Sequence, residues 1–478
     1  MENSVDIAII GAGPGGLAAS ETCARFGASV TVIDEQSAPG GQIYRQAPEN
    51  LRQRAEGFGI AYVDGVAKAN AVASISAIEW RLGHAVWNVL TPQRTQSEAF
   101  LISTVTDDGL SEIEAKRVIV ATGCYDMPVP FPGWTLPGVM GAGAIQALMK
   151  GQRVVPGKKI VLAGSHPLLL IIAEQMLAFG ERPAAVVFSQ PMWRAGRLLS
   201  RPGVAVSFAE PLAQAARAYA KLLRAGVPVI FSGAVLRADG NDRVESVTLA
   251  HLNPATGLPQ PDNTREISCD AVGIGFGFTA SSELVRLAGA ATRWSRTGGG
   301  WIAVHDGEMR STVANLYVAG EVAGIGGAKT AAAEGALAAL SALRDAGYGV
   351  DAAELRRARS NCRRNRAFAA LLQELADPGD ELLRALRDEG TVICRCEEIT
   401  KGQVEELLGQ NPFLGTSNAL KLLGRTGMGA CQGRYCSRSV LELISSATGR
   451  GVEDIGQFTA RPPVKPVPIH HFGGGVRD

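Results

Sequence analysis

The sequence predicts an α/β protein in which two Rossmann-like dinucleotide-binding folds precede a small C-terminal domain organised around cysteines. Three observations carry this. At the N-terminus, VDIAIIGAGPGGLAASETCARFGASVTVIDEQ reads as an apolar strand, a glycine turn, a helix of small residues and a second apolar strand ending in an acid. A second strand and helix of the same kind follow in KKIVLAGSHPLLLIIAEQMLAFGERPAAVVFSQ. Four cysteines then cluster near the C-terminus, Cys394 and Cys396 as CxC and Cys431 and Cys436 as Cx4C, with 34 residues between the pairs.

In the first fold Gly11, Gly13 and Gly16 form GxGxxG. The first permits the tight turn, the second lets the backbone approach a pyrophosphate, and the third lets helix and strand pack closely, with the phosphates at the helix N-terminus. Asp34 closes the second strand, where a carboxylate can bond ribose hydroxyls. This pattern alone does not separate FAD from NAD. Two later segments favour FAD. In APGGQIYR, Gly40, Gly41 and Gln42 can pass close to a diphosphate. In STVANLYVAGEVAGIGGAKTAAAEGALAAL an apolar strand, the Gly320–Glu321 pair and a glycine-rich helix start return to the same site. FAD enzymes with two dinucleotide-binding domains place an acid of this segment on the ribityl chain, usually Asp, one methylene shorter than Glu321. The other reading of Glu321 is a solvated acid that the helix dipole favours.

The second fold keeps the skeleton without the chemistry. Gly164 remains, but His166 stands at the second glycine position and Leu169 at the third, and the next strand ends in Phe188 and Ser189 with no acid. Such a fold is a degenerate NAD-like domain that should not take NAD(P)H. His166 is read as satisfied by local backbone.

The four C-terminal cysteines can close one tetrathiolate site, because alternate residues of a CxC project to the same side while Arg395 points away. An iron–sulfur cluster and a structural zinc both satisfy such a set. Neither pair is a CxxC knuckle, which favours the cluster. Gly427, Gly429 and Gly433 let the backbone approach it and donate amides to its sulfurs. Cys23, Cys124, Cys269 and Cys362 are scattered. Cys124, after VIVATG, has no CxxC partner and is read as a small core residue rather than a redox thiol.

Composition narrows the class. A chain of 478 residues, 46% hydrophobic and with a net charge of +1, holds several cores and lacks a broadly basic nucleic-acid surface. The local exception, LRRARSNCRRNR at 355–366 with six arginines, is read as a solvated helical face or a dock for a partner. No export signal precedes the first strand and no apolar run is long enough for a transmembrane segment, so a cytoplasmic protein is expected, peripheral to a membrane at most through its electron acceptor. The expected layout is 1–135 and 276–345 for the FAD domain, 136–275 for the degenerate fold, 351–389 for a helical linker, 390–456 for the cysteine domain and 457–478 for a proline-rich tail. That tail is too proline-dense for helix or central strand, and its His470 and His471 are read as solvated.

The segments CRCEEIT and KLLGRTGMGACQGRYC resemble the bacterioferritin-associated-ferredoxin type of domain, which implies one [2Fe-2S] cluster held by Cys394, Cys396, Cys431 and Cys436. The whole chain, through GAGPGGLAA, DEQSAPGGQIYR, FPGWTLPGVMGAG and the AGE segment, is similar to the larger flavin and iron–sulfur subunit of heteromeric amine dehydrogenases. These include the opine oxidases for octopine and nopaline, D-hydroxyproline and proline dehydrogenases and hydrogen cyanide synthase, with sarcosine oxidase α more distant. The resemblance implies a fold of the FAD-dependent pyridine nucleotide-disulfide oxidoreductase type. It also implies an FAD-containing partner of the D-amino-acid-oxidase type, in some members a small third subunit, FMN at the subunit interface and a separate electron acceptor. No catalytic acid or base is visible in this chain, as expected where the flavin performs the redox step. The function implied is electron transfer for oxidation of an opine, or of hydroxyproline or proline. Glycine oxidation to cyanide, a self-sufficient NAD(P)H:acceptor reductase and a non-catalytic redox sensor or cluster carrier are the alternatives.

Overall fold

The apolar run Val5–Ile10 forms the centre of a seven-stranded sheet in the computed structural model, which describes residues 4–194, 196 and 209–472. It pairs in parallel with Val30–Asp34 on one side and with the C-terminal half of Gly109–Val120 on the other. Ile78–Leu82 extends the parallel part at one edge, and Leu316–Val318 returns from far along the chain to pair with residues 118–120. The N-terminal half of Gly109–Val120 instead joins an antiparallel ladder with Phe100–Thr106 and Ala85–Leu90. Strands covered on both faces need apolar residues throughout, and Ile7, Ala8 and Ile9 are fully buried. Helices Pro14–Arg25 and Gly327–Asp345 pack together over this sheet so closely that a Cβ on Gly335 would lie 1.9 Å from the Gly15 carbonyl oxygen. Only glycine fits that crossing.

The second sheet is parallel, in the order Val229–Phe231, Ala185–Phe188, Ile160–Gly164, Ala271–Gly275, Val139–Gly141. An antiparallel three-stranded sheet, Gly233–Asp239, Ser246–Leu252 and Pro259–Ser268, leans on it. The chain crosses between the two folds twice, and the crossings Cys124–Asp126 and Phe278–Ala280 pair antiparallel as a ribbon.

Beyond residue 351 the helix Ala352–Ala376 packs along Gly327–Asp345, with the Asp351 carboxylate capping its first turn through the Ala353 amide. The C-terminal domain follows: a short hairpin of Val392–Cys394 with Ile399–Thr400, then helices Lys401–Gln410, Ser417–Gly424 and Ser437–Thr448 around Ile393, Val404, Leu420, Val440 and Ile444. Its apolar core continues onto Trp294 and Trp301 of the first fold. Trp134, from the FPGW turn, donates to the Val392 carbonyl at 2.7 Å and stacks on Tyr435. Residues 457–468 run extended over the first fold, with Val464 buried in its core, and end in a short 3-10 turn at Ile469–His471. Among the described residues no helix is long and apolar enough to cross a membrane.

Candidate cofactor sites

At the C-terminal end of the first parallel sheet, Gly11 adopts φ +108° and passes so close to the next strand that a Cβ would lie 2.3 Å from the Ala121 carbonyl oxygen. A Cβ on Gly16 would lie 1.7 Å from the Gly11 oxygen, so helix Pro14–Arg25 starts directly on the turn. Gly13 faces only Gly41 of the APGGQIYR loop, and the first helical turn carries no side-chain cap. Two glycine backbones opposite each other and an uncapped helix start make a trough for an anionic diphosphate. The loop is tied down from behind: buried Lys150 donates to the Ile43 carbonyl at 2.7 Å and the Tyr62 hydroxyl to the Arg45 carbonyl at 2.7 Å. Gln42 points outward, its carboxamide oxygen accepting from Arg45 at 2.9 Å.

Asp34 stands beside the trough, accepting from the Ala12 amide at 2.6 Å and the Gln36 amide at 2.7 Å. Burial raises its pKa, while those amides and the charges of Lys465 and Arg45 pull it back. The returning acid behaves differently from its sequence position. Glu321 accepts from the Gly326 amide at 2.6 Å and the Gly327 amide at 2.9 Å, capping helix Gly327–Asp345 as the helix-dipole reading has it, but half-buried rather than solvated. Gly320 donates its amide to buried Glu334 at 3.0 Å, and Arg366 binds both Glu334 and, at 2.7 Å, the Gly324 carbonyl. Glu334 was not singled out by sequence reasoning, and Arg366, read as part of a solvated or partner-docking arginine face, is instead bound inside the first fold. A signal existed: Arg359 and Arg366 are seven residues apart, on one helical face, and both turn inward, Arg359 onto Glu308. Arg356, Arg357, Arg363 and Arg364 form the exposed face.

In the second fold Gly164 makes the same approach as Gly11, its hypothetical Cβ 2.1 Å from the Gly275 oxygen. The trough is filled. The His166 amide donates to the Gly275 carbonyl at 3.0 Å, its Nδ1 accepts from the Leu168 amide at 3.2 Å, and its ring meets Phe278 edge-on. Burial pushes its pKa down to about 4, so the ring stays neutral. Leu169 is fully buried beneath it, and Ser189 follows the end of the next strand.

The four clustered cysteines converge as two pairs of thiols, Cys394 with Cys436 and Cys396 with Cys431. Among the described residues no group of three or more ligand side chains is set to hold a single metal ion. The hydrogen bond with Cys436 holds the Cys394 thiol down at about 6, helped by amides of Gly427, Glu397 and Cys396, while Cys436 is pushed up in return. Gly429 lets the chain close over Cys396, since a Cβ there would lie 2.2 Å from the Cys396 Cβ. Cys124 lies away from this set; burial, then Glu321 and Asp126, push its thiol well up, as suits an inert thiol.

Arg434, between Cys431 and Cys436, joins the two sites. It donates to the Cys431 carbonyl at 3.3 Å, pairs with Glu283 of the first fold at 3.1 Å and donates to the Val464 carbonyl at 2.9 Å. The cleft behind it is lined by Tyr125, Glu283, Arg286, Trp294 and Trp301, so the side chain that follows Cys124 faces the cysteine loop.

Residues 5–335 match the pyridine nucleotide-disulphide oxidoreductase family, and residues 392–446 the BFD-like [2Fe-2S] binding domain. The A subunit of the opine oxidase of Agrobacterium tumefaciens is 33% identical over 98% of this chain and 91% of its own length. Hydrogen cyanide synthase subunit HcnB of Pseudomonas aeruginosa is 32% identical over 97% of each. The L-proline dehydrogenase structure from P. horikoshii shares the fold, with a TM-score of 0.69 at 22% identity over 98% of this chain and 79% of that one. The cofactors are therefore FAD and a [2Fe-2S] cluster rather than zinc, and the trough and the paired thiols fit them. By its two domain matches and its near end-to-end identity with that opine oxidase protein, this chain belongs to the pyridine nucleotide-disulphide oxidoreductase family, in the group that adds a BFD-like [2Fe-2S] domain.

Proposed function

We propose that this chain is the electron-transfer subunit of a heteromeric dehydrogenase or oxidase that oxidises a secondary-amine amino acid, an opine first and hydroxyproline or proline next. Gly11, Gly13, Gly16, Asp34, Gly41, Gln42, Gly320 and Glu321 hold FAD, and Cys394, Cys396, Cys431 and Cys436 hold the cluster. When bound, the flavin would take electrons as a pair and give them up one at a time, and the cluster would carry them singly. The chain itself does no acid–base work. Its residues set the trough, cap the returning helix and fix the cysteine loop against the first fold.

The observation that carries this reading is the contact between the two sites: Arg434 bonds the backbone of one cysteine and a carboxylate of the flavin fold at once. A second flavoprotein subunit of the D-amino-acid-oxidase type would bind the substrate, with FMN between the subunits. The match to HcnB, nearly equal to that with opine oxidase, supports glycine as the third substrate reading. A self-sufficient NAD(P)H reductase is disfavoured because His166 and Leu169 fill the second trough. Coexpression with a flavoprotein subunit of the D-amino-acid-oxidase type and dye-linked turnover of octopine, nopaline, hydroxyproline, proline and glycine tests the proposal. Turnover is expected from the complex with one of the secondary amines. Full turnover by this chain alone would refute its role as one part of a heteromer.

A further inference from the structure

The tail RPPVKPVPI carries four prolines in nine residues, which stiffens an extended segment and lowers the entropy lost when its side chains are ordered. It is seated at several points. Val464 is 4% exposed, its amide donates to the Trp87 carbonyl at 3.1 Å, and its carbonyl accepts from Arg434 at 2.9 Å. Eight residues on, Phe472 meets Trp87 edge-on at 5.8 Å. Lys465, directly after the anchored valine, is thereby delivered to the end of the second strand of the first fold. There its ammonium pairs with Glu35, 430 residues away in sequence, beside Asp34.

We infer that this tail is a strap over the adenosine end of the FAD site and that Lys465 is its positioning residue, an inference that rests on the assignment of the first fold to FAD. Glu35 follows Asp34 directly at the end of the second strand, so the cation held on Glu35 stands at the edge of the same trough. Burial favours protonation of Asp34, and a protonated Asp34 accepts ribose hydroxyls poorly. The Lys465 charge acts the other way and favours the carboxylate. Arg45 is the other cation whose charge reaches Asp34, and it is engaged by Gln42. The strap also runs from the cysteine loop, through Arg434, to the acid of the flavin site, so one peptide spans both cofactor regions.

The test follows FAD release from the purified full-length chain by the rise in flavin fluorescence after dilution, with iron content measured in parallel. K465E should release FAD about tenfold faster or more, which corresponds to the loss of one charge-assisted contact. K465R should release it at the wild-type rate, and the swap E35K/K465E should recover most of the loss, because a cation again stands beside Asp34. Iron content should not change in any of them. Release from K465E and K465A at the wild-type rate overturns the inference, and so does a lowered melting temperature with unchanged release, which is what a purely structural tail gives. Wild-type protein that carries no FAD after expression with ample riboflavin overturns the FAD assignment, and this inference with it.

Discussion

In the first dinucleotide fold the glycine after the central strand turns against Ala121, and the trough above it is left open between Gly13 and Gly41. In the second, Gly164 makes the same turn against Gly275, but the imidazole of His166 and the side chain of Leu169 occupy the space. In this chain the first glycine is kept in both folds, because in both it passes directly against the neighbouring parallel strand. The second and third glycines are the ones that a diphosphate requires. The ends of the following strands differ likewise: Asp34 is set by two amides beside the open trough, and Ser189 follows a strand beside a closed one.

Transplanting the obstruction should have the largest effect. Gly13→His puts into the first fold the residue that fills the second, and FAD content should fall from about one per chain to none detectable, with about two irons retained. Visible absorbance and iron analysis on anaerobically purified protein check both numbers. Cys436→Ser is the complementary break: the cluster and its rhombic signal on reduction should be lost while FAD stays, since the trough and the thiols are built from separate cores. Stoichiometric zinc without iron in the wild-type protein would sink the cluster assignment.

Asp34→Asn removes a charge from the ribose end but keeps an acceptor for one amide. FAD affinity should drop by about 10- to 100-fold, the range for a hydrogen bond to a charged group, measured by titrating apoprotein with FAD. Opening the second fold should do less. In His166→Gly, Leu169 and Ser189 still block and fail to recognise a nucleotide, so stopped-flow mixing with NADH or NADPH should bleach the flavin no faster than in the wild type. Rapid, saturable bleaching at micromolar NADH by either protein would reverse the comparison.

A pH dependence of stability is also expected. His166 has a folded pKa of about 4 against an ordinary 6.5, so between these values the unfolded chain binds the proton and the folded chain does not. The associated stability is full above about pH 6.5 and is lost as pH falls toward 4, amounting to about 3 kcal/mol. His166→Gln should flatten that part of the curve in urea melts taken at several pH values. An unchanged slope would mean the ring is solvated before it protonates.

Patterns of short range were readable from the chain. The strand–turn–helix runs, the glycine triad, its decay in the second fold and the two cysteine pairs all lie within a few dozen residues. What the sequence hid are pairings whose partners lie far apart: Arg366 with Glu334, Arg434 with Glu283 and Val464, Lys465 with Glu35. Each charged partner is an ordinary surface residue type until the fold brings it in. Lys150 was equally silent, because an isolated lysine in a helix gives no sign that it will be buried under a loop carbonyl. Glu321 shows the opposite limit. Its place in the returning segment was legible, but a side chain one methylene longer than Asp reaches the helix amides, and chain length rather than pattern decides that contact.

Where electrons enter this chain is the central question. The most direct measurement is an anaerobic titration with the candidate opines and amino acids, made on the isolated chain and on its complex with the coexpressed flavoprotein, following flavin absorbance and the cluster's paramagnetic signal together. The expected result is no change in the isolated chain with any substrate or with NADH, and reduction of both centres in the complex by a secondary-amine substrate. Reduction of the isolated chain by such a substrate, or at once by NADH, would contradict it.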